Sequence, residues 1–259
     1  MSIRRMESEI VDVLPVNYVL ASVFDKTELD SLVRGLLDAN PDVVFVSTGG
    51  TGGKIKEILG EEHEKNYVSV DVLTGTPEME GGLVKTLTPG IHARLLGERN
   101  NPKHQAYLEM ITPSKGLSAD YMKLYGMEGT PNQIPKVGFF DLLVNTLYPF
   151  EEKAGEFPDK SNFEDCRGNI DIGGPAMIRA TAKNFPNIAV VTGIDQYARI
   201  LREVKETGGI SFNTRADLSV QAFETTAQYD KAISEFFFRT IQVDAKKAVR
   251  TCYDFRGGE

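Results

Sequence analysis

The chain has 259 residues, of which 41% are hydrophobic and 25% are charged, an ordinary composition for a globular protein with no sign of disorder. Its 29 basic and 37 acidic residues give a formal net charge of −8. This argues against a nucleic-acid surface, which needs clustered Lys and Arg. An anionic small molecule remains possible if backbone amides and a few lysines form a local pocket.

The cysteine and histidine content predicts neither a disulfide framework nor a metal site. Cys166 and Cys252 are too few and too widely spaced for either, and we expect free thiols in a reducing compartment. The three histidines are scattered, so no metal and no cofactor is predicted. Residues 1–11 lack the apolar stretch of a signal peptide, and no apolar run is long enough to span a bilayer. We therefore expect a cytoplasmic protein.

Short apolar runs alternate with helical patterns in the first half of the chain. The runs predict buried strands at 18–23, 43–46, 67–70 and 137–145. After the first strand, Asp25 and Glu28 form a capping arrangement ahead of apolar residues at helical spacing, and 54–59 predicts a second helix. The alternation predicts an α/β fold with a doubly wound, mostly parallel sheet.

The second half adds further helices and one strand. A polar, glycine- and proline-rich segment at 100–136 predicts a long excursion with a short helix near 119–124. Beyond it, the pattern predicts helices from 171 to 184, 197 to 207 and 214 to 240, with a strand at 188–191. We expect one domain over 1–259, with a phosphate-binding core at about 18–150 and an extension at 151–259 that completes the site.

A turn of small residues, Ser47-Thr48-Gly49-Gly50-Thr51, connects a predicted strand to a predicted helix. Small residues let a ligand approach the backbone, and the N–H groups, hydroxyls and positive helix end suit a phosphate. The turn is not a Walker A loop, and a plain tight turn is the alternative.

Lys26 follows the first strand and is expected near the small-residue turn, because the carboxyl ends of parallel strands line one crevice. A solvated lysine at a helix start is the alternative.

Lys85 lies among glycines and prolines, where most lysines are simply solvated. Tyr148 precedes a proline, which holds its backbone extended. The alternative is that its ring simply covers the core.

Asp171 precedes Gly173-Gly174-Pro175 at a predicted helix start and suits a helix cap. On the following helix, Arg179 and Lys183 are four residues apart and share a face. Two cations in line near an aspartate suit an anionic or polar ligand, and a solvated helix face is the alternative.

Several sequence blocks occur in one order, at 22–27, 47–51, 74–79, 84–89, 147–150, 170–174, 179–184 and 226–230. In this set the chain resembles the inosine monophosphate cyclohydrolase domain of the bifunctional purine-biosynthesis enzyme. The resemblance implies a methylglyoxal-synthase-like fold with additional C-terminal helices, and a homodimer. In that family the domain is fused to a transformylase domain, so we expect a stand-alone cyclohydrolase here.

The resemblance also implies a substrate, the ribotide of formamido-imidazole-carboxamide, and a set of residues that hold it. The phosphate is expected on Lys26, Ser47, Thr48, Gly49, Gly50 and Thr51. Reactive groups are expected at Lys85, Tyr148, Asp171 and Lys183. Contacts to the rest of the substrate are expected from Ser22, Thr86, Leu87, Ile172, Gly173 and Gly174.

Ring closure requires an amide nitrogen to attack a formyl carbon, with loss of water. We expect Lys85 to stabilise the developing oxyanion and Asp171 to accept a hydrogen bond or proton from the attacking amide. Lys183 would hold Asp171 ionised and share in proton transfer, and Tyr148 would orient or relay.

Three positions depart from the family pattern: Phe24 replaces a usual Ser, Leu83 a usual Arg and Thr88 a usual His. They keep open a regulatory module that binds a nucleotide without turnover. A methylglyoxal-synthase-type phosphate lyase is a further alternative. That chemistry needs several aspartate bases around the phosphate turn and would leave the Asp171 and Lys183 blocks without a role.

Overall fold

The structure, a computed structural model, describes residues 6, 9–76, 79, 82–112, 136–241, 249–250 and 252–253, with only the backbone at 62 and 63. Its strands are β1 Val13–Leu14, β2 Tyr18–Val23, β3 Val44–Ser47, β4 Tyr67–Ser69, β5 Leu142–Thr146, β6 Ala189–Val191 and β7 Ile210–Ser211. A five-stranded sheet has the order β4-β3-β2-β5-β6, and all of its pairings are parallel. β1 and β7 form a separate antiparallel pair.

The described helices cover both faces of this sheet. They are α1 Leu29–Ala39, α2 Gly49–Leu59, α3 His63–Asn66, α4 Val70–Thr74, α5 Pro89–Leu96, α6 Pro102–Ile111, α7 Phe150–Glu156, α8 Phe163–Gly168, α9 Gly173–Lys183, α10 Tyr197–Thr207 and α11 Phe212–Ile241. α1 packs against α2 and α10, and α9 packs against α5 and α11. The predicted α/β class, with a doubly wound parallel sheet and additional C-terminal helices, is confirmed.

β2 is the central strand and pairs with β3 on one side and β5 on the other. The chain runs from β2 outward to β3 and β4, whereas β5 and β6 lie on the opposite side. The winding direction therefore reverses at β2. In an open parallel sheet, a crevice forms at the carboxyl ends of the strands at such a point, so the segments after β2, β3 and β5 must meet there.

Buried apolar side chains form one large cluster that includes residues from both predicted parts of the chain. Leu20 and Leu143, from the predicted core segment, share it with Ile178 and Leu218 from the extension. The edge strand β6 also comes from the extension. A smaller cluster around Phe150, Phe163 and Phe236 packs α7 and α8 against α11.

Two helix starts differ from the sequence prediction. The Asp25 carboxylate accepts the Thr27 N–H at 2.9 Å inside the loop and does not cap α1, which begins at Leu29 after Glu28 in a left-handed conformation. α2 begins at Gly49, ahead of the predicted 54–59, because the small-residue turn is itself the first turn of the helix.

α6 lies in a segment that the sequence analysis treated as irregular. The Asn101 side chain caps it, and Pro102 occupies its first position, where proline is favoured. The helix predicted near 119–124 falls outside the described residues. In the part of the chain that the structure describes, no helix combines the length and apolar character needed to cross a membrane.

At the amino ends of the central strands, Asp141 is fully buried and joins β2 to β5. Its carboxylate accepts the N–H groups of Asn17 and Tyr18, both at 2.8 Å, and pairs with Arg99 at 2.6 Å. Burial raises the pKa of the Asp141 carboxyl, and the Arg99 guanidinium opposes that rise. The Asp141 side of this ion pair is fully buried, whereas Arg99 is partly exposed. The pair lies at the end of the sheet opposite the crevice.

Asp141→Asn is expected to lower the free energy of unfolding by about 2–3 kcal/mol, because it leaves a largely buried guanidinium without its counter-charge. Urea denaturation measures the change. The matched control is Asp217→Asn, which breaks the half-exposed pair with Arg199 and should cost less than about 1 kcal/mol. Equal losses would contradict a special role for the buried pair.

Candidate active site

A cleft of about 320 Å³ lies at the carboxyl ends of β2, β3 and β5. The segments that follow those strands line it, together with the loop at 82–87 and the turn that enters α9. The predicted site residues that line it are Ser22, Lys26, Thr48, Gly49, Gly50, Thr51, Lys85, Thr86, Leu87, Tyr148, Asp171, Ile172, Gly173 and Gly174. Segments more than a hundred residues apart in sequence thus meet in one cavity.

Two predicted site residues lie elsewhere. Ser47 is the fully buried last residue of β3, and its Oγ has no hydrogen-bond partner among the described residues. Lys183 is exposed at the end of α9, about 15 Å along the helix axis from Gly173. Within one chain the helix therefore separates Lys183 from Asp171, and the predicted contact between them is not formed. Arg179 instead places its guanidinium 5.7 Å from the Phe223 ring.

The first turn of α2 faces the cleft with unbonded backbone donors. Thr48 is the N-cap residue, but its side chain makes no capping hydrogen bond. A helix leaves its first N–H groups without intrahelical acceptors, so those of Gly49, Gly50 and Thr51 are available to an anion at the positive helix end. Gly49 has φ +49°, a conformation that glycine adopts without steric cost.

Two lysine ammonium groups lie against this helix end. Lys85 Nζ is 3.2 Å from the position that a Cβ on Gly49 would occupy, and Lys26 Nζ is 3.7 Å from the corresponding position at Gly50. At Gly49 the absence of a side chain makes room for Lys85, whereas a Cβ at Gly50 would meet Lys26 at an ordinary van der Waals distance. The helix N–H groups and Lys26 are suited to bind a phosphate-like anion, and Lys85 lies beside the same turn.

The Thr51 hydroxyl has a structural partner and is not directed at a ligand. It donates to the Val23 carbonyl at 2.9 Å and accepts the Val23 N–H at 3.1 Å. These bonds tie the end of β2 to the first turn of α2. The predicted phosphate contact of Thr51 is therefore limited to its backbone N–H.

Lys85 reaches the cleft from a strained turn. Val84, the residue before it, has φ +62°, a left-handed conformation that is unfavourable for a β-branched side chain. The Leu87 N–H closes the turn on the Val84 carbonyl at 3.1 Å. Thr86 is buried, and its Oγ1 lies 2.8 Å from the position of a Cβ on Gly173. The Lys85 loop and the entry to α9 are thus in contact.

Asp171 lines the same cleft from the connection between α8 and α9. Its Oδ1 accepts the Gly174 N–H at 2.8 Å, and the N–H groups of Tyr148 and Gly173 also bond to the carboxylate. Burial raises the pKa of Asp171, and these donors oppose the rise. A carboxylate with a raised pKa at a cleft wall is suited to accept a proton from a ligand.

The three departures from the family pattern have different structural consequences. Phe24 is half-exposed at the cleft and packs edge-on against Tyr148, with ring centroids 5.8 Å apart. Leu83 is also exposed on the rim. Thr88 caps α5, where its hydroxyl accepts the Ile91 N–H at 3.3 Å. Phe24 and Leu83 make the rim of the cleft apolar. Thr88 stands where the family usually has His and serves as the N-cap of α5.

The charged groups among the described residues that line the cleft are Lys26, Lys85 and Asp171. Together with the N–H donors of the α2 turn, the two ammonium groups suit an anionic organic molecule. Among the described residues, no group of His, Cys, Asp or Glu side chains could hold a metal ion. The fold and the cleft together define an α/β protein with a small-molecule anion site at the switch point of a parallel sheet.

Residues 181–259 match the family model described as AICARFT/IMPCHase bienzyme. The chain is 40% identical over 234 residues to the bifunctional purine biosynthesis protein PurH of Mesorhizobium japonicum, which covers 90% of this chain and 37% of that protein. It is 38% identical over 223 residues to PurH of Cutibacterium acnes, covering 86% of this chain and 36% of that protein. The crystal structure of ForH superposes with a TM-score of 0.60 at 27% identity, covering 86% of this chain and 99% of ForH.

The chain therefore matches the AICARFT/IMPCHase family, and the resemblance drawn from its sequence blocks is confirmed. It spans little more than a third of the length of the curated relatives that it matches.

Two residues that the sequence analysis gave no role also shape the site. The Thr146 hydroxyl accepts the Phe24 N–H at 2.8 Å, and the Tyr229 hydroxyl accepts the Asp171 N–H at 2.8 Å. Tyr229 belongs to the family block at 226–230, which was a signal that the segment matters. Nothing in the sequence indicates that it lies beside residue 171.

Gly49→Ala is expected to weaken the binding of inorganic phosphate roughly tenfold and to destabilise the fold by about 1–2 kcal/mol, because a Cβ is strained at positive φ and crowds Lys85. Calorimetric titration and urea denaturation measure the two effects. Gly53→Ala, in the same helix with open space around it, should stabilise by about 0.5–1 kcal/mol and leave phosphate binding unchanged. Similar binding losses in both variants would argue against the anion site.

Proposed function

We propose that the chain is an inosine monophosphate cyclohydrolase, which closes the purine ring of formamido-imidazole-carboxamide ribotide with loss of water. The observation that supports this most directly is that Lys85 and Asp171 line one cleft together with a helix end suited to an anion. The matching relatives are named as purine biosynthesis proteins, and the family name includes this activity.

In this proposal the substrate phosphate binds at the first turn of α2, with Lys26 as its counter-charge. The imidazole ring then extends across the cleft toward Asp171, between the Lys85 loop and the rim formed by Phe24 and Tyr148. Holding the formyl and carboxamide groups together makes up a large part of catalysis, because well-oriented reactants can save roughly 7–11 kcal/mol of the barrier.

The reaction forms one C–N bond and breaks one C–O bond. The carboxamide nitrogen attacks the formyl carbon, and Asp171 accepts the proton that this nitrogen loses. Lys85 donates a hydrogen bond to the formyl oxygen as negative charge develops on it. The formamide nitrogen then loses its proton, and the former formyl oxygen leaves as water with the two protons. Tyr148, beside Asp171, orients the amide.

Two alternatives differ in what supports them. A nucleotide-binding module without turnover is favoured by the apolar rim at Phe24 and Leu83. A phosphate lyase, which needs several aspartate bases, has less support. Among the described residues that line the cleft, Asp171 is the only one with a carboxylate. The proposal assigns no step to Lys183. The homodimer, the cytoplasmic location and the absence of a cofactor stay predictions.

Lys85→Ala is expected to lower kcat by about 100- to 1000-fold and KM by little, because the ammonium group acts on charge that develops only in the transition state. Purine formation from the formylated ribotide, followed by ultraviolet absorbance, measures both constants. Lys65→Ala, which removes an exposed lysine paired with Asp42, is the control and should behave as wild type. A rise in KM at unchanged kcat would assign Lys85 to the phosphate instead.

The kcat–pH profile is expected to fall on the acid side at a pH above about 4, the ordinary range of an aspartate. Burial raises the pKa of Asp171, and as pH falls through that pKa the carboxylate takes up a proton and can no longer accept one from the amide. Asp171→Asn should be slow and should lack this limb. If the limb persists in Asp171→Asn, it belongs to another group.

A further inference from the structure

Tyr229, on α11, reaches from the C-terminal helix to the turn that carries Asp171. Its buried hydroxyl accepts the Asp171 N–H at 2.8 Å and donates to the Asn169 carbonyl at 3.3 Å. One phenol oxygen therefore bridges residues 169 and 171 within the four-residue connection between α8 and α9. A hydrogen bond between residues 58 positions apart fixes the backbone of the proposed base.

The ring of Tyr229 also contacts the segment that carries Tyr148. It packs edge-on against Phe150, with centroids 6.3 Å apart and planes at 70°. Phe150 begins α7, directly after Tyr148-Pro149, and the Tyr148 N–H bonds to the Asp171 carboxylate. Tyr229 thus touches both segments that bring the cleft's Tyr148 and Asp171 together.

The position of the Asp171 carboxylate depends on the turn that Tyr229 holds. Its carboxylate is held by N–H groups at the first turn of α9 and by Tyr148, so a shift of the turn would change all of these contacts together. Burial raises the pKa of Tyr229 to about 12, and the phenol therefore keeps its proton for the Asn169 carbonyl throughout the neutral range.

We infer that Tyr229 is a positioning residue for the proposed ring closure: its hydroxyl fixes the 169–171 turn so that the Asp171 carboxylate faces the reacting amide. Tyr229 is not among the described residues that line the cleft, so it acts through Asp171. The inference rests on the proposed function for its catalytic consequence and on the hydrogen bonds alone for its structural part.

Tyr229→Phe tests it, because the variant removes the hydroxyl and keeps the ring that packs against Phe150. We expect kcat to fall roughly 10- to 100-fold, the order expected for a misplaced reactive group. KM should stay within about twofold, because the Tyr229 hydroxyl bonds to the 169–171 turn and not to the first turn of α2. Hydrogen–deuterium exchange should show the amide of residue 171 exchanging at least about tenfold faster once its acceptor is gone.

The matched control is Tyr253→Phe. The Tyr253 hydroxyl bonds to Glu164, and its ring packs against the same small apolar cluster as Tyr229, away from the described cleft lining. This variant should keep the wild-type kcat and the wild-type exchange rate at residue 171.

Each result supports or overturns one part of the argument. Wild-type kcat in Tyr229→Phe, with or without faster exchange, overturns the positioning role, as does a rise in KM at unchanged kcat. Unchanged exchange at residue 171 overturns the structural part. If the wild-type protein has no turnover, the proposed function fails instead, and the exchange rates alone decide whether Tyr229 fixes the turn.

Discussion

The parallel hydrogen bonding of β2 to both β3 and β5 is the constraint on which the rest of the structure depends. Parallel strands end at the same edge of a sheet, so the segments after these three strands have to meet. The Thr51 hydroxyl strengthens this arrangement because it bonds to both backbone groups of Val23. On the opposite edge, Asp141 joins the same two central strands. The cleft is therefore built on strands that are tied together at both ends.

An acidic chain with a formal net charge of −8 concentrates positive potential in one place to bind an anion. Lys26 and Lys85 both lie against the first turn of α2, where backbone N–H groups add the partial charge of the helix end. This arrangement favours glycine at position 49, because a Cβ there would be strained at positive φ and would lie 3.2 Å from Lys85 Nζ. Local geometry thus outweighs the global charge.

The C-terminal half contributes to the site as well as to the core. Asp171 lies between α8 and α9, and α11 supports it through the Tyr229 hydroxyl. The apolar rim formed by Phe24 and Leu83 is the most distinctive part of the cleft, because it changes the surroundings of a bound ring without changing the anion site or Asp171. The proposed function therefore assigns substrate choice and chemistry to different residues of the cleft.

Local patterns in the sequence were enough to identify β2, β3 and α10, because strand and helix periodicity depend on residues only a few positions apart. They also indicated the small-residue turn and, through the family blocks, most of the residues that line the cleft. Only the tertiary structure decided that Asp25 does not cap α1, that the Thr51 hydroxyl bonds to Val23, and that α9 carries Lys183 away from Asp171. It also placed Tyr229 beside Asp171. These outcomes depend on burial and on hydrogen bonds between distant segments, for which the periodicity of a single segment carries no signal.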